Sequence, residues 1–176
     1  MNRQDCKYTP FYCEENIWHL GQDPAFSSVT RRVVLVSNPA RKCAFFNQRG
    51  AEEDGFVIWD YHVFLLAGAE VWDLDSTLPF PCPLKRYLTA TFRDQLPRWY
   101  LPWFRLVKAE DYVAKFASDR RHMRDATGAF KHPPPPWPAI GPAAPHNLGD
   151  FIDMRQPFLG EVVDLGTFKE LARQLK

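Results

Sequence analysis

A chain of 176 residues is the size of one ordinary domain, long enough to bury a core and too short for two large ones, so residues 1–176 read as a single catalytic-sized unit. Its 45% apolar and 24% charged residues describe a globular protein, and a formal net charge of +1 argues against a nucleic-acid or anionic-membrane surface. The longest apolar run, Val63 to Ala69, is far shorter than a membrane span, and MNRQDCKYTP lacks the hydrophobic stretch of a secretory signal, so a soluble, cytoplasmic chain is expected. Pro10 precedes CEENIWHLG, which predicts a short helix with acidic residues in its first turn and Gly21 at its end. Cys13 then stands at a helix N-terminus. RRVVLVSN (31 to 38) predicts a strand stopped by Asn38-Pro39, and KCAFFNQ (42 to 48) a second.

Phe56 to Leu66 and Glu70 to Asp75 are apolar on both faces, which predicts two strands in the middle of a covered sheet. Ala67-Gly68-Ala69-Glu70 between them has the glycine-first pattern of a type II′ hairpin turn. PLKRYLTATFRDQL predicts an amphipathic helix with Leu84, Tyr87, Leu88, Thr91 and Phe92 inward; WFRLVK (103 to 108) predicts a strand, and AEDYVAKFASD a helix burying Tyr112, Val113 and Phe116. From Asp119 to Asp150 the pattern breaks into an irregular segment carrying HPPPPWPAIGPAAPHN. EVVDL predicts a late strand, and the Thr167 to Glu170 spacing a capping box for a last helix with Phe168, Leu171 and Leu175 inward.

The chemistry concentrates on the predicted hairpin. Pairing Ala67 with Glu70 sets Phe64 opposite Asp73 and His62 opposite Asp75, so His62, Asp73 and Asp75 share one face. Either aspartate reaches the imidazole, and strand parity does not choose between them. A histidine held by a carboxylate is half of a nucleophilic triad; the missing part is a nucleophile. Cys13 is the candidate, because a helix N-terminus and a nearby imidazolium both lower a thiol pKa, although Glu14 and Glu15 oppose that shift. The first N–H groups of the same helix are candidate oxyanion donors. The plainer readings are a buried apolar cysteine, an interior histidine and turn-capping aspartates. The other histidines carry less: His19 sits where a helix favours a cation, His132 and His146 read as solvated in the proline-rich loop, and His122 is ambiguous. The cysteines at 6, 13, 43 and 82 show no metal or disulfide spacing.

YCEENIW (12 to 18), VIWDYHV (57 to 63), DLDSTLPFPC (73 to 82), FASDRRHM (116 to 123), PPPPWP (133 to 138) and NLGDFIDM (147 to 154) resemble, in order, the protein N-terminal glutamine amidohydrolase family. The tight Ala67 to Glu70 turn departs from the longer connection of animal members. The resemblance implies an α/β (α+β) fold, mainly antiparallel sheet flanked by helices, similar to transglutaminases and papain-like cysteine enzymes. It implies Cys13 as nucleophile, His62 as base and Asp73 as orienting acid, with no metal and no organic cofactor.

By the same resemblance the substrate is a protein or peptide with a free N-terminal glutamine. The reaction hydrolyses the side-chain amide to glutamate and ammonia through a thioester, and the product can feed arginylation-linked degradation. A monomer without nucleic-acid or membrane partners is expected. Glu14, Glu15, Asp60 and Asp75 are candidate readers of the substrate ammonium. Two other readings of the residues are a protease or acyl transferase on the same scaffold, and a binding module that presents PPPPWP.

Overall fold

The computed structural model describes residues 1–51, 55–141 and 143–175; Pro142 of the proline-rich stretch lies outside the described residues. Its spine is β1 (Arg31–Ser37), in which Val33 and Leu35 face one way, Val34 and Val36 the other, and all four are fully buried. A strand of that kind needs cover on both faces. On its edges β1 pairs antiparallel with β4 (Tyr61–Ala67), setting Val36 opposite His62, and with β7 (Trp103–Lys108), setting Val34 opposite Leu106. With β5 (Glu70–Trp72), β6 (Cys82–Pro83) and β8 (Glu161–Asp164) the sheet runs β6-β5-β4-β1-β7-β8, antiparallel throughout. A second sheet pairs β2 (Cys43–Phe46) with β3 (Phe56–Trp59).

Helices cover both faces. Ile17 and Leu20 of α1 (Cys13–Leu20), Tyr112 of α3 (Ala109–Lys115) and Phe151 of α4 (Leu148–Ile152) pack on Val33, Leu35, Val63 and Leu65. On the other side Tyr87 and Leu88 of α2 (Leu84–Thr91), Phe168 of α5 (Leu165–Gln174) and Phe45 of β2 pack on Val34, Val36, Phe64 and Leu66. This is the expected α+β class with a mainly antiparallel sheet. Among the described residues no helix is long and apolar enough to cross a membrane.

The β4–β5 turn forms as predicted: Ala67 pairs with Glu70, and of the two central residues only Gly68 has positive φ, +60°. Other expectations are corrected. Phe56 to Leu66 is not one strand. The chain breaks at Asp60, whose side chain accepts Tyr61 N–H at 3.0 Å and whose carbonyl accepts the Ser37 hydroxyl at 2.6 Å, so β3 and β4 enter different sheets. β5 stops at Trp72, three residues short of Asp75. α5 is capped by Asp164, which accepts Thr167 N–H at 2.8 Å, so Thr167 lies inside the helix and Leu175 is exposed rather than inward.

Two buried arginines, unmarked in the sequence pattern, fix the irregular segments. Arg105 on β7 donates to the carbonyls of Phe151, Asp153 and Gln156 at 2.9, 2.7 and 2.9 Å. Arg120 donates through Nε and Nη2 to the two oxygens of Glu15 at 2.8 Å each, and through Nη2 to the Trp137 carbonyl at 2.8 Å. Trp137 Nε1 adds a third bond to Glu15 at 2.8 Å. PPPPWP is thus strapped to α1. Arg120→Ala leaves the fully buried Glu15 carboxylate without its cation, and a loss of about 3–5 kcal/mol in urea unfolding is expected. A loss below about 1 kcal/mol would show that the strap contributes little.

Candidate active site

The approach to α1 is bent and clamped. Phe11 takes φ +71°, a left-handed conformation that costs a non-glycine residue roughly 1–2 kcal/mol, immediately before the helix N-cap Tyr12. Asn16 then ties this turn to the helix, its Oδ1 accepting Thr9 N–H and its Nδ2 donating to Thr9 O, both at 2.9 Å. From the other side the Tyr112 hydroxyl donates to the Glu14 carbonyl at 3.1 Å, and Trp18 Nε1 to the Val113 carbonyl at 3.0 Å. Cys13 is therefore fixed as the first helical residue, packed in the same core cluster as Val63 and 9% exposed.

Its thiol differs from the sequence expectation. Burial pushes the Cys13 pKa well above the ordinary thiol range, the charges of Glu14 and Asp75 push the same way, and a hydrogen bond from Val63 N–H only partly opposes them. The thiol partner is Glu14 Oε2 at 3.7 Å, and among the described residues no hydrogen bond joins the sulfur to His62. On balance these influences favour the neutral thiol over the thiolate.

His62 and Asp73 meet directly. His62, second residue of β4 and 2% exposed, is flanked by the rings of Trp59 and Phe45 at centroid distances of 4.7 and 5.5 Å. Its Nε2 bonds Asp73 Oδ1 at 2.9 Å, which leaves Nδ1 for another partner. The ladder ends at Trp72, and of the two aspartates that strand parity left open it is Asp73 that makes the contact. Asp73 Oδ1 also accepts Asp75 N–H at 3.0 Å, and Oδ2 accepts the Tyr87 hydroxyl at 2.7 Å. Burial works against the charge on both partners, but the ion pair and its hydrogen bonds outweigh it: Asp73 is held below the ordinary carboxylate range and His62 above the ordinary imidazole range. Tyr87 is a site residue that the helical pattern showed only as a core position; a buried tyrosine hydroxyl needs a partner, and nothing local named Asp73 as that partner.

Cys13, His62 and Asp75 line one cavity of about 680 Å³, together with Trp59, Tyr61 and His122. Asp60 stands exposed on the same wall. His132 and His146 also line it, which corrects their reading as solvated: His132 is half-buried and stacks on Phe11 at 3.6 Å, and burial lowers the pKa of His146, 3.4 Å from Asp119. His122 Nε2 lies 3.2 Å from Glu14 Oε1. His19 does not use the helix end as a cation, because burial, with some help from Lys7, brings its pKa down to about 4. All four cysteines are free.

One atom each of His62, Asp73 and Asp75 fall within 4.8 Å of one another, the spacing of a metal-ligand trio. The donors decide against that use for Asp73, whose two oxygens already accept from His62, Asp75 N–H and Tyr87. His62 and Asp73 form a hydrogen-bonded pair, and the Asp75 carboxylate bonds Tyr8 instead.

Comparison with known proteins points one way. The family model described as N-terminal glutamine amidase matches residues 8–172. Proteins named protein N-terminal glutamine amidohydrolase are similar over 164 residues. The Homo sapiens protein is 38% identical, covering 86% of this chain and 80% of its own length. The Drosophila melanogaster protein is 42% identical, covering 85% and 80%.

Proposed function

We propose, from the premise that this chain belongs to the N-terminal glutamine amidase family, that it hydrolyses the side-chain amide of an N-terminal glutamine in peptides or proteins to glutamate and ammonia. The observation that carries this reading to particular residues is the 2.9 Å bond to buried Asp73 from His62, which lines the same cavity as Cys13. In the proposed reaction the Cys13 sulfur attacks the amide carbon while its proton passes to His62 through Nδ1. The resulting oxyanion is received by the Cys13 and Glu14 N–H groups at the start of α1, since those of Glu15 and Asn16 already donate to the Tyr12 carbonyl.

As the tetrahedral adduct collapses, the carbon–nitrogen bond breaks and His62 returns the proton to the leaving nitrogen, releasing ammonia and leaving a γ-glutamyl thioester. Water then gives a proton to His62 and attacks the thioester, and as the carbon–sulfur bond breaks His62 returns that proton to the departing sulfur, freeing glutamate and restoring the Cys13 thiol. Asp73 keeps the imidazole oriented and steadies its charged form through both halves. Every step runs on side chains and water, so this route has no metal or organic cofactor. We place the reaction in the cytoplasm, on a monomer whose residues 1–176 act as one catalytic domain and whose product is open to arginylation.

The test is mass spectrometry on matched peptides that begin with glutamine, one with a free terminus and one acetylated there. Deamidation of the free peptide alone is expected. Equal conversion of both, conversion of an internal glutamine, or no conversion of the free peptide would overturn the reading.

A further inference from the structure

An enzyme that acts only on a terminal residue has to read a positive charge near the amide it attacks. In glutamine four bonds separate the α-nitrogen from the side-chain amide carbon, roughly 5 Å when extended. Adding an ammonium–carboxylate contact of about 2.8 Å, the reader must lie within roughly 8 Å of the attacked carbon. Glu14, Glu15, Asp60 and Asp75 are the candidates, and the structure separates them.

Glu15 is fully buried and already holds Arg120 through both oxygens and Trp137 through one. Glu14 is also fully buried, behind the rings of Tyr61 and His122; its Oε2 accepts the Tyr61 hydroxyl at 3.0 Å and its Oε1 faces His122. Asp60 is exposed and caps Tyr61 N–H, so a cation there would be held in nearly full water screening. Asp75 alone both lines the cavity and is largely shielded from bulk water. Its carboxylate is within 4.8 Å of a His62 nitrogen, its Oδ1 is oriented by the Tyr8 hydroxyl at 2.6 Å, and its Oδ2 is left for a ligand.

We infer that Asp75 is the receptor for the substrate's α-ammonium, and that it sets the preference for a chain terminus over an internal glutamine. This rests on the amidase reading above. Arg49 borders the same cavity, yet among the described residues Asp75 has no ion-pair partner, so the incoming ammonium would supply one. The raised pKa of Asp75, due to burial first and then to the neighbouring Asp73 charge, agrees with a carboxylate awaiting a cation.

The experiment compares two peptides, one beginning with glutamine and one beginning with a glutaramoyl group, which is glutamine without its α-ammonium. Wild type should favour the first. Asp75→Asn keeps the shape and is expected to lower kcat/KM on the glutamine peptide by about 10- to 100-fold, chiefly through KM, while changing the glutaramoyl peptide by less than about threefold. Equal falls on both substrates would make Asp75 a positioning residue for His62 and Asp73 and overturn the inference, as would wild type that does not distinguish them. Wild type inactive on both would instead remove the amidase reading beneath it. Should Asp75→Asn fold poorly, Tyr8→Phe, which frees Oδ1, should shrink the same preference by about 2- to 10-fold, and no change in preference there counts against the inference.

Discussion

Cys13→Ala is expected to lower ammonia release from a glutamine-initiated peptide by about 10⁴-fold or more, with the fold retained. The magnitude follows from removing the atom that forms the thioester: the helix N–H groups and the binding cavity would remain, but they act on an intermediate that no longer forms. Stability should change by only about 1 kcal/mol, because the lost atom is one sulfur at a side chain that opens on the cavity. Turnover within about tenfold of wild type would remove Cys13 from the reaction.

Alkylation gives a second readout with a sign that the structure reverses. The sequence suggested a thiol activated at rest, whereas burial and the charges of Glu14 and Asp75 raise its pKa. Slow labelling of the empty enzyme near neutral pH, accelerating as pH rises, is therefore expected. An ammonium held at Asp75 would cancel one of those charges. Substrate binding would then bring the thiol closer to ionisation at the moment the amide arrives, so terminal recognition and nucleophile activation become one electrostatic event.

What the sequence revealed, and what it hid, follows the range of the interactions. The β4–β5 hairpin was legible because Gly68 alone supplies the positive φ of its turn, and α1 because its acidic first turn and Gly21 mark its two ends. The Asp60 break was not legible: no glycine or proline marks it, and the bond that stabilises it comes from Ser37, 23 residues away. Strand parity could place His62 and two aspartates on one face, but the choice of Asp73 depends on where the ladder ends and on Tyr87, delivered by a different helix. The same limit hid Arg120, whose partner Glu15 lies 105 residues earlier in the chain. His132 and His146 read as solvated because a proline-rich segment has no periodicity from which burial can be inferred; contacts distant in sequence, such as Trp137 with Glu15 and His132 with Phe11, hold that segment beside the cavity.

Asp73→Asn is expected to reduce kcat by about 10³- to 10⁴-fold, a larger effect on kcat than Asp75→Asn produces. Three donors converge on Asp73: His62 Nε2, Asp75 N–H and the Tyr87 hydroxyl. An asparagine keeps one acceptor oxygen but turns an NH₂ toward at least one of those donors, so either the Tyr87 bond is lost or the imidazole tautomer is reversed. The His62 pKa should fall as well, since burial, now opposed by less negative charge, disfavours the imidazolium. The pH dependence of stability has a definite sign. The raised His62 pKa contributes stability that is full below its unfolded value and fades as pH rises through the folded one; the depressed Asp73 pKa contributes stability present above its unfolded value and lost as pH falls through the folded one. The stability gap between wild type and Asp73→Asn should therefore be widest between about pH 4 and 6.5 and narrow on either side. An NMR titration of His62 together with steady-state kinetics decides the matter: an unchanged imidazole pKa, or a deeper kcat loss for Asp75→Asn, would mean that the orienting carboxylate is Asp75.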